Sequence, residues 1–173
     1  MKISILGYSG SGKSTLAQIL GKHYDSDVLH FDSIQFLPGW EVRSADEKQQ
    51  IVTEFLDTHD SWVIDGNYSK LFLDRRLESS DLIILLLFNR LNSFLRAYKR
   101  YRTYKGKTRP DMAQGCNEKF DKEFILWLLW KGRSKSARNR YKNIISQYGA
   151  KTVVIKNQRQ LTKYIESLKK DLD

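Results

Sequence analysis

Residues 7–14 read GYSGSGKS, which fits the phosphate-binding pattern of a glycine, four residues and then Gly-Lys-Ser. The five residues before this stretch, from Lys2 to Leu6, form a β-branched and apolar run of strand length. After it, Leu16, Ile19 and Leu20 recur at helical spacing. A strand, a glycine-rich loop and a helix in this order are the setting that the motif requires. The stretch therefore predicts a phosphate-binding loop between the first strand and the first helix.

The residue types of this loop suit a bound nucleoside triphosphate. Its glycines let successive backbone N–H groups face phosphate oxygens, and the N-terminus of the following helix adds partial positive charge. We expect Lys13 to contact the β- and γ-phosphates and the Ser14 hydroxyl to ligate Mg²⁺, which makes ATP and Mg²⁺ the expected cofactors. The predicted nucleotide-binding residues are Gly7, Ser9, Gly10, Ser11, Gly12, Lys13, Ser14 and Thr15.

Length and composition predict one soluble domain over residues 1–173, since apolar residues make up 40% of the chain and charged residues 29%. The single cysteine, Cys116, excludes an internal disulfide and fits a reducing compartment. The apolar run from Leu82 to Phe88 is too short for a membrane helix, and the chain starts directly in a predicted strand, without room for a signal peptide. We therefore expect a cytoplasmic protein without a membrane partner.

The net charge of +10 is concentrated in one segment. Residues 90–142 contain sixteen Lys or Arg against four acidic residues, so this segment carries +12 and the remainder −2. A basic segment joined to a phosphate loop is typical of a lid that closes over phosphates, and we place a helical lid at about 98–140. The alternative is that segment 90–142 contacts the backbone of a nucleic acid.

Apolar runs alternate with helical periodicities along the rest of the chain, which predicts an α/β fold with helices on both faces of a parallel sheet. Ser44 and Glu47 form a predicted capping box that opens a helix. We expect the helically spaced aromatic residues Phe120, Phe124, Trp127 and Trp130 to lie in the core. The predicted strands cover residues 2–6, 28–31, 61–64, 81–88 and 152–155, and the helices lie near 14–23, 44–56, 70–77, 90–104, 118–131, 134–148 and 160–169.

The carboxyl ends of parallel strands meet at one edge, so residues that follow the strands converge on one crevice. Asp32 is predicted to be a general base or acceptor ligand, although a capping Asp is the alternative. Asp65 is predicted to hold Mg²⁺ or substrate, although a simple Asp-Gly turn is the alternative. Tyr68 and Arg90 lie in segments that follow the third and fourth strands, and we expect them on the substrate side.

Arginines of the lid are the third predicted component, because phosphoryl transfer spreads negative charge over the equatorial oxygens. Arg138 and Arg140 are the first catalytic candidates beside Lys13 and Asp32, and Arg133, just after Gly132, is a substrate-binding candidate. Arg96 and Arg100 are four residues apart, so both are alternatives. A solvated helix face would explain any single one of these arginines.

Several stretches resemble the adenylate-kinase-like branch of P-loop kinases, and more closely the bacterial DNA topology modulation (FlaR-like) proteins. The residues that carry this resemblance are Gly7–Ser14, Pro38-Gly39-Trp40, Trp62–Tyr68, Asp111-Met112-Ala113 with Gly115-Cys116, and Glu123-Phe124 followed by Trp127 and Trp130. The resemblance implies a three-layer P-loop NTPase fold with strand order 2-3-1-4-5, a nucleotide-binding core and a lid.

The same resemblance separates this chain from nucleoside monophosphate kinases. Those enzymes carry Asp-Gly-Phe-Pro-Arg where residues 65–68 here read DGNY, so the arginine that would grip a substrate phosphate is missing. Our first hypothesis is a Mg-ATP-dependent kinase for an unidentified small-molecule acceptor such as a nucleoside or nucleotide. The alternatives are a nucleic-acid-associated ATPase that affects DNA topology and a polynucleotide 5′-hydroxyl kinase.

Overall fold

A five-stranded parallel sheet forms the centre of the molecule, and the computed structural model describes residues 1–170 of the chain. The strands are β1 Lys2–Gly7, β2 Asp27–His30, β3 Trp62–Asp65, β4 Leu82–Leu86 and β5 Thr152–Ile155. They are ordered β2-β3-β1-β4-β5, and every neighbouring pair is parallel. This confirms the predicted fold class and strand order.

Eight helices connect and cover these strands within residues 1–170. They are α1 Lys13–His23, α2 Phe31–Gln35, α3 Ala45–Thr58, α4 Leu73–Ser79, α5 Arg90–Tyr104, α6 Lys122–Leu129, α7 Lys135–Tyr148 and α8 Gln158–Lys170. Several boundaries differ from the prediction by one to four residues, among them those near Asp32 and at α6. Asp32 lies in the first turn of α2 and not directly at a strand end, and α6 begins at Lys122, where the Asp121 side chain accepts a hydrogen bond from the Phe124 N–H.

The helices pack on both faces of the sheet because the strands are buried on both sides. On one face, Leu16 and Leu20 of α1 and Leu161 of α8 pack with Ile3 and Ile84. On the opposite face, α4 and α7 contribute Leu73, Leu77, Tyr141 and Ile144, which pack with Leu6, Ile83 and Leu85. The chain therefore has three layers, with the carboxyl edge of the sheet left to loops.

The helix over Ala45–Thr58 starts at the predicted capping box. The Ser44 side chain accepts a hydrogen bond from the Glu47 N–H, and the Glu47 carboxylate accepts one from the Ser44 N–H. Ser44 thus satisfies backbone donors that the first turn leaves free.

The predicted aromatic core of α6 is only half formed. Phe120 packs against Phe94 and Phe124, with ring centroids 5.5 and 6.1 Å away, and so joins α6 to α5. Trp127 and Trp130 are instead 50% and 57% exposed, so placing them in the core was wrong. The helix is too short and too near the surface to bury every apolar side of itself.

Residues 105–118, which we term the roof loop, extend from the end of α5 to the loop after α2. The Trp40 indole N–H donates to the Asn117 carbonyl at 3.2 Å, and the Cys116 thiol donates to the Leu37 carbonyl at 3.2 Å. At the other side, the Arg100 Nε donates to the Glu118 carboxylate at 2.7 Å. The roof loop therefore spans the carboxyl edge of the sheet. No helix within residues 1–170 is both long enough and apolar enough to cross a membrane.

Candidate nucleotide and acceptor site

The loop over residues 7–14 has the backbone conformation that its glycines allow. Gly10 and Gly12 have φ of 73° and 93°, in the left-handed region that side chains rarely adopt. A Cβ at Gly10 would also overlap the carbonyl oxygen of Ser93 on α5, so the loop and α5 approach each other closely. The loop is thus held between β1 and the first turns of α5.

Lys13 is the first residue of α1 and lies folded against the loop, where its Nζ donates to the Tyr8 carbonyl at 3.3 Å. Burial lowers the pKa of Lys13, which the negative charges of Asp32 and Asp65 oppose and the positive charges of Arg100 and Arg109 reinforce. The ammonium therefore lacks a full counter-charge at contact distance, which suits a group that binds phosphate.

Ser14, Asp65 and His30 form a hydrogen-bonded chain beside Lys13. The Ser14 hydroxyl donates to Asp65 Oδ2 at 2.8 Å, and His30 Nδ1 lies 2.6 Å from Asp65 Oδ1. Burial alone would lower the pKa of His30, but the hydrogen bond and the charge of Asp65 outweigh it and raise that pKa. The structure thus brings together the two predicted metal ligands, although they come from α1 and β3.

This pair fits Mg²⁺ in particular. Mg²⁺ prefers hard oxygen ligands and is usually held by one or two protein groups together with phosphates and water. Ser14 and Asp65 supply a hydroxyl and a carboxylate side by side. Among residues 1–170, no group of three or more His, Cys, Asp or Glu side chains is arranged to hold a metal alone.

Asp32 and Tyr68 face the same crevice from α2 and from the loop after β3. The Tyr68 hydroxyl donates to Asp32 Oδ1 at 2.8 Å, while the Asp32 side chain remains exposed. Burial, together with the negative charge of Asp32, raises the pKa of Tyr68 strongly, so this hydroxyl stays protonated. Asp32 is thus oriented as a carboxylate that an acceptor can reach.

Arg76 packs beneath Asp32 and Tyr68, on their buried side. The sequence alone had given it no role. It is fully buried, its guanidinium lies 4.4 Å from the Phe31 ring, and it donates to the carbonyls of Tyr68 and Leu71 at 3.1 and 3.0 Å. Arg76 therefore contacts both the neighbour of Asp32 and the backbone of Tyr68.

Asn67 clamps the phosphate loop to the segment after β3. Its side chain accepts from the Gly7 N–H at 2.9 Å and donates to the Gly7 carbonyl at 2.6 Å. Two residues of α7 also reach Asn67, since Arg140 donates to its backbone carbonyl and Tyr141 to its side-chain oxygen, at 3.1 and 3.2 Å.

The remaining predicted arginines lie apart from one another. Arg133 is buried, with its guanidinium 3.9 Å from the Tyr8 ring, and it donates to the Phe88 carbonyl at 2.8 Å. Arg90 donates to the Leu129 carbonyl at 2.7 Å and so joins α5 to α6. Arg138 is exposed, and its side chain makes no hydrogen bond to any of residues 1–170. Of the arginines on α7, Arg140 reaches the loop that follows β3.

Arginines of α5 and the roof loop lie closer to the phosphate loop. The Arg96 Nε donates to the Gly10 carbonyl at 3.2 Å, and the Arg96 guanidinium also contacts Gln158. Arg100 and Arg109 share the buried Glu118 carboxylate, with N–O distances of 2.7 and 2.6 Å. Sequence reasoning gave Arg109, Asp111 and Glu118 no individual role, because pairs between a helix and a loop follow no local spacing.

Solved structures share this fold, whereas no protein-family model and no curated protein matches the sequence. TT1252 from Thermus thermophilus is 14% identical, with a TM-score of 0.55 over 100% of this chain and 98% of that one. Deoxyadenosine kinase from M. mycoides with bound dATP is 15% identical, with a TM-score of 0.53 over 99% of both chains.

The mouse sulfotransferase SULT7A1, complexed with PAP, is also similar, with 15% identity and a TM-score of 0.53 over 98% of this chain and 56% of that one. At these identities the likeness shows the fold alone. The chain therefore has the fold of P-loop kinases and of other group-transfer enzymes, and the choice between them has to come from the residues of the crevice.

Proposed function

We propose that this protein is a Mg-ATP-dependent phosphotransferase that phosphorylates a hydroxyl group of a small, nucleoside-like acceptor. The observation that carries the proposal is the pairing of two sets of groups at one sheet edge. Lys13, Ser14 and Asp65 suit a metal-bound triphosphate, while Asp32 and Tyr68 offer an exposed, hydrogen-bonded carboxylate. A carboxylate beside the attacking hydroxyl is what phosphoryl transfer requires of the protein.

In this proposal, the loop N–H groups from Ser9 to Thr15 and the Lys13 ammonium bind the phosphates, and Ser14 and Asp65 hold Mg²⁺. Bound Mg²⁺ would neutralise charge on the β- and γ-phosphates. Asp32 accepts the proton of the acceptor hydroxyl, and Tyr68 orients Asp32. Asp65 and Tyr68 also border the acceptor.

We further propose that arginines neutralise the transferring group. Arg140 already reaches the loop after β3, and the exposed Arg138 lies one half-turn before it on α7. Arg90 and Arg133, at the junction of α5 and α6, would act on the substrate through movement of the lid at 98–140. A cytoplasmic location and membership of the FlaR-like family are part of the same proposal, supported by the single cysteine and by the motifs of residues 62–68 and 111–116.

The test is transfer from Mg-ATP to a panel of nucleosides, nucleoside monophosphates, sugars and 5′-hydroxyl oligonucleotides, read as phosphorylated product by mass spectrometry. We expect Asp32→Asn to lower kcat by about 10²- to 10⁴-fold while leaving ATP affinity unchanged. The matched control is Asp60→Asn, since Asp60 is exposed outside the crevice. Equal activity of Asp32→Asn and the control would contradict the role of Asp32.

A second candidate, a nucleic-acid-associated ATPase or polynucleotide 5′-hydroxyl kinase, is favoured by the surface of α5 and α6. Most of the large exposed apolar side chains lie there, including Leu91, Leu95, Leu126, Trp127 and Trp130. Asp111 and Glu118, two of the four acids of segment 90–142, are buried in ion pairs. The exposed cations of this segment are Arg90, Lys99, Arg102, Lys105, Lys107, Lys119, Lys122, Lys131, Lys135, Arg138 and Lys142.

A further inference from the structure

Four charged side chains, three of them buried, form a continuous chain of ion pairs between α5 and the roof loop. Arg100 Nε lies 2.7 Å from Glu118 Oε1, Arg109 Nε lies 2.6 Å from Glu118 Oε2, and Arg109 Nη1 donates to Asp111 Oδ2 at 2.6 Å. The Glu118 side chain is only 3% exposed, and those of Arg109 and Asp111 are each 9% exposed. We term these four residues the charge chain.

The charge chain lies above the phosphate loop. Ser93, Ala97 and Arg100 are spaced i, i+4 and i+7 on α5, so they share one helix face, and Ser93 and Ala97 of that face contact Gly10. The roof loop carries the other three members and continues to the segment after α2, the helix that holds Asp32. The charges are also felt in the crevice, since Arg100 and Arg109 lower the pKa of Lys13 and Asp111 helps to raise that of His30.

The charge chain is electrically neutral before any ligand binds. Arg100 and Arg109 are matched by Glu118 and Asp111, and Lys13 faces Asp65 and Asp32. The triphosphate and Mg²⁺ would add their own charges at Lys13, Ser14 and Asp65. Asp32 accepts a hydrogen bond from the Tyr68 hydroxyl and has no ion-pair partner among residues 1–170.

A site that binds a phosphate or carboxylate group of its substrate usually contains an arginine whose guanidinium N–H groups are not already paired with protein carboxylates. Within the charge chain, Arg100 and Arg109 each already pair with a carboxylate. To bind an anionic group, the arginine would have to release a buried Glu118 or Asp111, and an uncompensated buried charge is strongly unfavourable.

We propose that the acceptor is an uncharged molecule with hydroxyl groups, and that the charge chain excludes acceptors carrying a phosphate or a carboxylate. This inference rests on the proposed kinase function and narrows its substrate to neutral alcohols such as nucleosides, sugars or cyclitols. The exposed Asp32 carboxylate can accept a hydrogen bond from such a hydroxyl. The γ-phosphoryl group leaves ADP for the acceptor oxygen as the hydroxyl proton passes to Asp32.

The first experiment compares matched acceptors that differ in charge, using the full chain with Mg-ATP. Adenosine, thymidine, glucose and myo-inositol are set against AMP, dTMP, gluconate and glucose 6-phosphate, with labelled phosphate followed into product. We expect product only from the neutral set. Phosphorylation of an anionic member at a comparable kcat/KM would overturn the inference while leaving the kinase function intact.

The second experiment does not need turnover. Binding of AMP and of adenosine is measured by calorimetry for Glu118→Gln, for Asp111→Asn and for the control Glu123→Gln, an exposed residue of α6. Releasing Arg100 or Arg109 should tighten AMP binding by about tenfold or more relative to the control, with adenosine unchanged. Because all three variants keep the phosphate loop, AMP bound there contributes equally to each.

Glu118→Gln and Asp111→Asn each test the inference independently. If one of them does not fold, the other still provides the test. Thermal unfolding shows which variants are folded. Unchanged AMP affinity in a folded variant would overturn the inference. If no acceptor in either set is phosphorylated, the proposed kinase function fails, while the AMP measurement still shows whether the charge chain excludes anions.

Discussion

At the scale of single residues, we expect Lys13 to lower the stability of the protein when no nucleotide is bound. Its ammonium is partly buried against the Tyr8 carbonyl, and burial lowers its pKa. We expect Lys13→Met to keep or slightly raise the thermal midpoint without ligand, because the variant no longer has to desolvate a charge. With Mg-ATP at about one hundred times its Kd, the wild-type midpoint should rise by about 5–10 °C and that of Lys13→Met should not.

Differential scanning fluorimetry measures both midpoints. Lys22→Met is the matched control, since Lys22 is an exposed lysine in the last turn of the same helix. A Lys13→Met protein that still gains several degrees from Mg-ATP would contradict the assignment of Lys13 to the phosphates.

His30 makes stability depend on pH. Its folded-state pKa is raised above the ordinary value of 6.5, since Asp65 and nearby carboxylates outweigh the effect of burial. The stabilisation from protonated His30 is therefore fully present below about pH 6.5 and is lost as pH rises through the folded pKa. Without Mg²⁺, urea unfolding should show this loss as pH rises above about 6.5 for the wild type but not for His30→Asn.

The control for this measurement is His23→Asn, which removes a histidine that packs on Tyr24 outside the crevice. The control should keep the wild-type pH dependence. A His30→Asn protein that keeps the same pH dependence would show that the His30–Asp65 pair does not cause it.

The sequence predicted single residues well where a local motif fixes them, and poorly where partners are distant. Lys13 and Ser14 follow from eight consecutive residues. The hydrogen bond between Tyr68 and Asp32 joins residues that are 36 positions apart in the sequence. Arg109 and Glu118 pair within the roof loop, which has no periodic structure. Such contacts depend on the tertiary path of the loops, and the periodicity of apolar residues in the sequence does not predict that path.

At the scale of elements, Asn67 connects β1, the phosphate loop and α7. Replacing it by Ala removes two hydrogen bonds to the Gly7 backbone and leaves the buried Gly7 N–H without its partner. We expect Asn67→Ala to lower the free energy of unfolding by about 2–4 kcal/mol. The control is Asn143→Ala on the exposed face of α7, which should change it by less than about 0.5 kcal/mol.

Urea unfolding followed by circular dichroism gives both values. An Asn67→Ala variant as stable as the control would show that the loop is held by β1 and α5 alone. In that outcome, the close contact of Gly10 with Ser93 would be the main support of the phosphate loop.

The sequence predicted the helices best where a capping motif marks the helix end. The capping box at Ser44 placed the start of α3 correctly because both of its hydrogen bonds are local. α2 was missed because Phe31–Gln35 is a single short turn with no cap signal of its own. For α6, helical spacing predicted a buried face, but it could not show that Trp127 and Trp130 lie on the side that no other element covers.

At the scale of the whole molecule, the fold separates two kinds of positive charge. Arg100, Arg109 and Arg133 are turned inward and bonded, whereas exposed cations of α5 and α6, such as Arg90, Lys99 and Lys122, share the α5–α6 surface with Trp127 and Trp130. If that surface binds single-stranded nucleic acid, affinity for a labelled oligonucleotide should fall steeply with salt.

The decisive comparison is Trp130→Ala against Ile145→Ala, since Ile145 is an exposed apolar residue outside that surface. Loss of a stacking base should weaken binding by about 1–3 kcal/mol for Trp130→Ala only. Fluorescence anisotropy at several salt concentrations measures both effects. Equal affinities for the two variants, or no binding at low salt, would leave the small-molecule kinase as the only candidate.

Cys116 offers a way to time the movements of this fold. It is the only cysteine of the chain, it is 1% exposed, and its thiol is held against the Leu37 carbonyl where the roof loop meets the segment after α2. A thiol reagent can reach it only while those two segments are apart. The rate of alkylation therefore measures how often the crevice opens, and a ligand that bridges the roof loop and α2 should slow that reaction.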